Sequence, residues 1–415
     1  MAKQTAGKMP QIRFNGFEGD WKELRFRDVV SNLSGGASIK PEDYQNHGIR
    51  TVPKGAVNST GIADLSGSKY ISNDFFVRNH TSQVSVGNLI TSLRDLVPSA
   101  PNLGRIVKIE GQAEDFLIPQ GVYKIELHAG IDETFVISYS NGNKFRKIIA
   151  SEKNGSTQVH LRNGEFLGIG IPTPSHLEQT QIGGYFRELD RLIELHQRKN
   201  DKLVTLKKAM LQKMFPQPGA TTPEIRLRGF SGEWKKEQLG AISDSYSGGT
   251  PSVGNRAFYG GDISFIRSGE INAISTELTI THLGLRGSAA KLVSAGDILY
   301  ALYGATSGEV GISQINGAIN QAVLAIKPHA RYSSQFIATW LRNRKVEILG
   351  TYLQGGQGNL SGAIVKSLDV DLPCIEEQRK IGVYFLTLDE LISRHTIQLQ
   401  KLRQIKSACL EKMFV

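Results

Sequence analysis

Cysteine is nearly absent: Cys374 and Cys409 are the two in 415 residues. Two thiols cannot build a disulfide framework or a cysteine-based zinc site, which excludes a secreted disulfide scaffold and points to a reducing compartment. Long hydrophobic runs are missing as well. Nowhere do about 18 apolar residues follow one another, and Met1 to Phe17 has no apolar signal core, so a soluble, cytoplasmic chain without a membrane span is expected. The usual tools of catalysis are also lacking. There is no Gly-x-x-x-x-Gly-Lys-Ser/Thr phosphate loop, no His-Glu-x-x-His, no Gly-x-Ser-x-Gly elbow and no Asn/Asp-Pro-Pro-Tyr/Phe motif of the kind that holds a flipped base beside a methyl donor. The glycine-rich stretches Gly248-Gly-Thr-Pro251 and Gly355-Gly-Gln-Gly358 lack the strand–loop–helix setting of a cofactor fingerprint. The nine histidines have no metal-ligand neighbours at useful spacing. Binding is favoured over catalysis, and neither a metal nor a cofactor is expected on this chain.

Negative charge is the minority. Forty-nine Lys and Arg against 39 Asp and Glu give a formal charge of +10 and a pI near 9.4, which favours an anionic partner such as nucleic acid. The excess is spread thinly: residues 31–170 carry 14 basic and 13 acidic side chains, and residues 244–370 carry 10 and 8. Any nucleic-acid surface must therefore be assembled by folding.

The chain is written twice. Pro10-Gln-Ile-Arg-Phe-Asn-Gly-Phe-Glu-Gly-Asp-Trp21-Lys22 returns as Pro223-Glu-Ile-Arg-Leu-Arg-Gly-Phe-Ser-Gly-Glu-Trp234-Lys235, a shift of 213. A longer match relates Pro174–Phe215 to Pro373–Phe414 at a shift of 199, sharing Glu-Gln, Ile-Gly-x-Tyr-Phe, Leu-Asp and Lys-Met-Phe. Between these flanks the sequences diverge, with weak echoes: Ser34-Gly-Gly against Ser247-Gly-Gly, and Val84-Ser-Val-Gly-Asn-Leu-Ile against Val293-Ser-Ala-Gly-Asp-Ile-Leu. Trp21 and Trp234 read as core anchors, and the Tyr-Phe pairs at 185–186 and 384–385 as packing at a helix root.

The second repeat predicts long helices. Residues seven apart read Ile182, Leu189, His196, Leu203, Met210 and, interleaved, Tyr185, Leu192, Lys199, Leu206, Lys213; the second copy reads Ile381, Leu388, His395, Leu402, Cys409 with Tyr384, Leu391, Gln398, Ile405, Lys412. An apolar seam over four heptads argues for a coiled coil, each helix about 55 Å long at 1.5 Å per residue. If the halves fold alike about a pseudo-twofold axis, the helices pair antiparallel and His196 faces His395, a polar interruption that fixes register. Phe215-Pro-Gln-Pro-Gly-Ala-Thr-Thr-Pro223 reads as a linker and boundary. The divergent segments read as mixed α/β, with strands expected at Val122–Leu127, Thr134–Tyr139 and Ile263–Ile266.

These motifs resemble those of the specificity subunit of type I restriction-modification systems, over nearly the whole chain. The resemblance rests on Ile-Arg-Phe/Leu-x-Gly-Phe-x-Gly-Asp/Glu-Trp and on the helix signature, each present twice. Ser247-Gly-Gly-Thr-Pro-Ser252, Tyr259-Gly-Gly-Asp-Ile263, Gly296-Asp-Ile-Leu-Tyr-Ala-Leu-Tyr-Gly-Ala-Thr306, Ala318-Ile-Asn-Gln321 and Gly355-Gly-Gln-Gly-Asn-Leu360 add to it. It implies an α/β (α+β) chain of two globular target-recognition domains separated by a long antiparallel two-helix coiled coil with pseudo-twofold repeat. The expected divisions are 1–173 for a leading segment and domain one, 174–215 for the first spacer helix, 216–223 for the linker, 224–372 for a leading segment and domain two, and 373–415 for the second helix. It further implies binding of double-stranded DNA at an asymmetric bipartite target, with two methyltransferase subunits and restriction subunits as partners. Those partners, not this chain, would use S-adenosylmethionine, ATP and magnesium for adenine methylation and cleavage. A helix pair of about 55 Å spans about 16 base pairs, consistent with two half-sites and an unread gap.

Donors suited to base edges or phosphates lie near the glycine-rich turns: Lys40, Tyr44, Arg50, Arg78 and Arg94 in domain one, and Thr250, Arg256, Tyr259, Arg267, Tyr303, Gln357 and Asn359 in domain two. Domain one departs from the familiar pattern, because Ser34-Gly-Gly-Ala37 lacks the following Thr-Pro. The rival reading is a coiled-coil scaffold for proteins without DNA sequence specificity. A third, a self-contained enzyme, predicts activity from this chain alone.

Overall fold

The structure, a computed structural model, describes residues 9–155, 158–352 and 359–415. Two long helices dominate it, His176–Lys213 and Ile375–Lys412, 38 residues each. The chain divides into two compact units, one of residues 1–198 with 396–415 and the other of residues 199–395. The divisions fall inside the long helices, not at the proline-rich segment. That segment is fastened to the second unit: Pro216 is buried and its carbonyl accepts from Arg344 Nη2 at 2.8 Å, while the Trp234 N–H donates to the Thr221 carbonyl at 2.8 Å.

Both units have the same plan. In unit one Lys22–Arg25 pairs antiparallel with Gly170–Thr173, and Val30–Gly35, Val122–Leu127, Leu89–Ser92 and Ile106–Lys108 form an antiparallel sheet in that order. A second sheet runs Tyr44–Gln45, Tyr70–Ile71, Ile49–Thr51, Asp115–Leu117, Gln83–Ser85. In unit two Lys235–Gln238 pairs with Asp369–Leu372, and the first sheet runs Ser243–Ser247, Val323–Pro328, Ile298–Ala301, Val310–Ile312. Its second sheet runs Thr279–Ile280, Tyr259–Ile266, Gly317–Ile319, Lys291–Val293. Mixed sheets, helices and the internal repeat are thus all present, and strands form at 122–127 and 263–266 as expected.

The stretch Thr134–Tyr139, expected as a strand, lies in the helix Glu133–Asn141. Six residues are too few to separate a period of 2 from one of 3.6. The cap decides: Asp132 accepts from the Phe135 N–H at 3.0 Å, and Phe135, Val136 and Tyr139 fall on one buried face.

The repeated motifs meet in each core. In unit one Arg13 grips Glu178 with two bonds of 2.7 and 2.8 Å and also donates to the Gly19 carbonyl, with Glu178 only 1% exposed. In unit two Arg226 grips Glu377 at 2.8 and 2.7 Å and donates to the Gly232 carbonyl. Trp21 packs edge-on against Phe135 and Phe414, as Trp234 does against Phe215. Both tryptophans are core anchors, as read from sequence. Each such ring contributes on the order of 1.5–3 kcal/mol by leaving water.

Within each unit, halves of the two long helices lie side by side. In unit one Phe186 stacks on Phe414 at 5.7 Å, Asp190 bonds Lys406, and Gln197 accepts from Arg403 at 2.9 Å. Residue numbers rise along one helix as they fall along the other, so the pair is antiparallel. Unit two repeats this with Phe385 against Phe215 and Asp389 bonded to Lys207. The first predicted row faces inward: Ile182, Leu189, Ile381 and Leu388 are buried. The interleaved row is one residue later than expected. Phe186, Met214, Phe385, Leu399 and Met413 are buried, whereas Leu206 and Ile405 are 40% and 45% exposed. A helix that packs on a globular domain as well as on its partner buries i+4 along with i+3, so the narrow heptad seam broadens toward the 3.6 period.

Among the described residues no helix is long and apolar enough to cross a membrane, and no group of three or more His, Cys, Asp or Glu could hold a metal ion.

Candidate nucleic-acid interface

Unit one gathers three expected contacts in and beside its second sheet. Tyr44 and Arg50 lie on strands that flank Tyr70–Ile71, and Lys40 precedes the turn Pro41–Asp43 that leads into Tyr44. Their situations differ. Lys40 is exposed, its backbone N–H held by Asp43 at 2.7 Å. Tyr44 lies under the Lys69 ammonium at 4.7 Å, and its hydroxyl titrates above the ordinary value through burial and then Asp43. Arg50 is engaged internally: it bonds Glu114 at 3.2 Å, the Leu65 carbonyl and Ser68 Oγ, and covers the Phe116 ring at 5.3 Å. It fastens the sheet. Arg78 is exposed at the end of the helix Asn73–Arg78, with Nε donating to the Asp74 carbonyl. Arg94 stands apart, on the short ladder where it pairs with His160.

In unit two the structure brings Thr250, Tyr303 and Asn359 together around a residue left out of the expected set, Gln321. Thr250 Oγ1 donates to Gln321 Oε1 at 2.6 Å, the Leu302 N–H donates to the Ala322 carbonyl, and Tyr303 bridges to Asn359. Tyr259 closes the same turn by donating to the Pro251 carbonyl at 2.6 Å. Arg256 is exposed on the turn Arg256–Phe258, whose cap Asn255 accepts from the Ala257 N–H. Arg267 is paired with carboxylates of its own segment. Its guanidinium bonds Glu270 at 3.0 and 3.3 Å and Glu277 at 2.5 Å, which raises its pKa further and ties down the segment 267–277. Gln357 lies outside the described residues.

Sequence reasoning passed over Gln321, although its motif had been singled out, and over Gln120 and His160 in unit one. All three are solvent-facing. No local signal marks them, because each is placed by a bond or pairing to a residue distant in sequence: His160 by Arg94, Gln120 by Ala37 and Gln321 by Thr250. They can offer amide and imidazole groups of the kind that read base edges.

Comparison with known proteins fits this architecture. The type I restriction modification DNA specificity domain matches twice, over residues 18–205 and 231–405. The putative type I restriction enzyme MjaX specificity subunit of Methanocaldococcus jannaschii is 23% identical over 435 residues, covering 98% of this chain and 93% of that protein. The MjaIX specificity subunit of the same organism is 24% identical over 191 residues, 44% of each chain. Among solved structures, the type I restriction-modification system S subunit from M. genitalium superposes with a TM-score of 0.65 at 15% identity, over 98% of this chain and 99% of that one. Two family-domain matches in tandem, each running into one of the long helices, place the chain in the type I restriction-modification DNA specificity family.

Proposed function

We propose that each unit reads one half of an asymmetric, bipartite DNA target, and that the chain delivers this address to methyltransferase and restriction subunits that carry out adenine methylation and ATP-dependent cleavage. The observation that carries the reading is the contrast within the repeat. The fasteners Arg13–Glu178 and Arg226–Glu377, and the Trp21 and Trp234 anchors, are the same in both units, while the solvent-facing turns differ. One scaffold bearing two different surfaces suits two different half-sequences read through common partners. Lys40, Arg78, Arg94 and Arg256 have exposed cations that suit phosphate or guanine contacts, while Thr250, Tyr259, Tyr303 and Asn359 suit base edges. Arg50 and Arg267 hold neighbouring segments through their carboxylate pairs.

The test is to sequence methylated bases in host DNA with and without this gene, its methyltransferase partner present. Loss of a split motif with modified adenine in both halves is the expected result. An unchanged methylome in cells where the complex is assembled and active would overturn the reading.

A further inference from the structure

Strand registers give a residue-by-residue correspondence between the two units that the sequence echo does not. In unit one Tyr123 lies opposite Gly35 on one side and Thr91 on the other; in unit two Leu324 lies opposite Ser247 and Tyr300. Tyr123 therefore corresponds to Leu324, Gly36 to Gly248 and Ser38 to Thr250, one step from the Ser-Gly-Gly echo. Two other bonds confirm the correspondence. Leu93 N–H donates to the Gly121 carbonyl as Leu302 N–H does to that of Ala322, and Leu161 N–H donates to the Leu93 carbonyl as Leu360 N–H does to that of Leu302. Hence Gln120 corresponds to Gln321, Arg94 to Tyr303, and His160 to Asn359.

These four positions are contiguous in each unit. In unit one Gln120 N–H donates to the Ala37 carbonyl beside Ser38, a Cβ on Gly121 would lie 3.3 Å from the Arg94 Cβ, so the Arg94 stem lies against the neighbour of Gln120, and Arg94 pairs with His160 on the ladder. In unit two the Thr250–Gln321 bond and the Tyr303–Asn359 bridge join the same places. All eight residues are polar, and all but the half-buried Tyr303 are exposed. None is a carboxylate. Asp95, the acid next to Arg94, is turned into its own loop, accepting from the Val97 and Asn102 N–H groups.

We propose that this line is the base-reading edge of each unit, in which Ser38/Thr250 and Gln120/Gln321 supply a shared contact while the exchanged pair, Arg94–His160 against Tyr303–Asn359, makes the two half-sites differ. The chemistry is matched to the task. Glutamine and asparagine pair with adenine N6 and N7, and arginine with guanine O6 and N7. A tyrosine hydroxyl or an imidazole can donate or accept. The inference rests on the reading that each unit contacts DNA.

The test exchanges the pairs in the full chain, co-expressed with the methyltransferase subunits of its own genome. Arg94→Tyr with His160→Asn should change the bases specified in one half of the methylated motif and leave the other half intact, shifting relative modification at the affected positions by about tenfold or more. Tyr303→Arg with Asn359→His should change the opposite half. Co-purification with the methyltransferase subunits checks assembly; Arg94→Lys and His160→Gln, which keep polarity at exposed sites, replace any variant that fails it. An unchanged motif in assembled variants, or an equal loss at all sites with the motif preserved, would overturn the proposal. A wild-type complex that modifies DNA without any split motif would instead defeat the underlying reading.

Discussion

Asp132 and Ser333 cap corresponding helices with different chemistry: Asp132 accepts from the Phe135 N–H at 3.0 Å and Ser333 from the Phe336 N–H at 3.4 Å. Burial pushes the Asp132 carboxyl up, but bonds from Thr134, the Phe135 N–H and Thr180 more than offset it, and the carboxyl titrates below its ordinary value. A depressed folded value means that this stabilisation is present above the unfolded value, about 3.9, and is lost as pH falls through the folded one. Asp132→Ser should therefore cost unit one less at pH 3 than at pH 6 in urea unfolding; equal cost at both pH values would refute the assignment. The same scale shows where sequence reading stops. Arg50, Arg94, Arg256 and Arg267 all sit beside glycine-rich turns and look alike in sequence. Carboxylates 64 residues from Arg50 and 10 residues from Arg267 pair with those two, whereas Arg94 and Arg256 are exposed.

At the scale of elements, the long helices were legible because seven-residue periodicity survives over 38 residues. The phase of their second row was not, because it depends on what else the helix touches. Nor was the helix at 134–139, whose short apolar run fits either period. The ion pairs within the helix pairs carry their own prediction. Asp190 bonds Lys406, yet its carboxyl titrates above the ordinary value, since burial outweighs the attraction of the lysine. A pair that does not recover its desolvation selects a register more than it stabilises one. Lys406→Met should destabilise unit one by about 1–3 kcal/mol, whereas replacing Asp190 and Lys406 together by leucine should be neutral or stabilising. Urea midpoints of the single and double variants decide, and a double variant weaker than the single one would contradict the argument.

For the whole molecule, sequence proximity assigns each Lys-Met-Phe ending to the domain before it, while the structure assigns it elsewhere. Phe414 and Met413 complete the core of unit one, and Phe215 and Met214 that of unit two. Phe414→Ala should loosen unit one and Phe215→Ala unit two, each by about 3–5 kcal/mol, with hydrogen exchange showing which unit opens. Loss of protection in the unit preceding each helix ending in sequence would exclude the assignment. The arrangement also sets an order of assembly during synthesis. Unit two is a single stretch, residues 199–395, and holds every part of its core once that stretch has left the ribosome. Unit one begins first but waits for Leu410, Met413 and Phe414, so its aromatic core stays unsealed until some 200 further residues are made. Domains usually mature in the order in which they are translated; here the first domain to emerge is the last to close, and nascent chains halted before residue 410 should remain protease-sensitive in unit one alone.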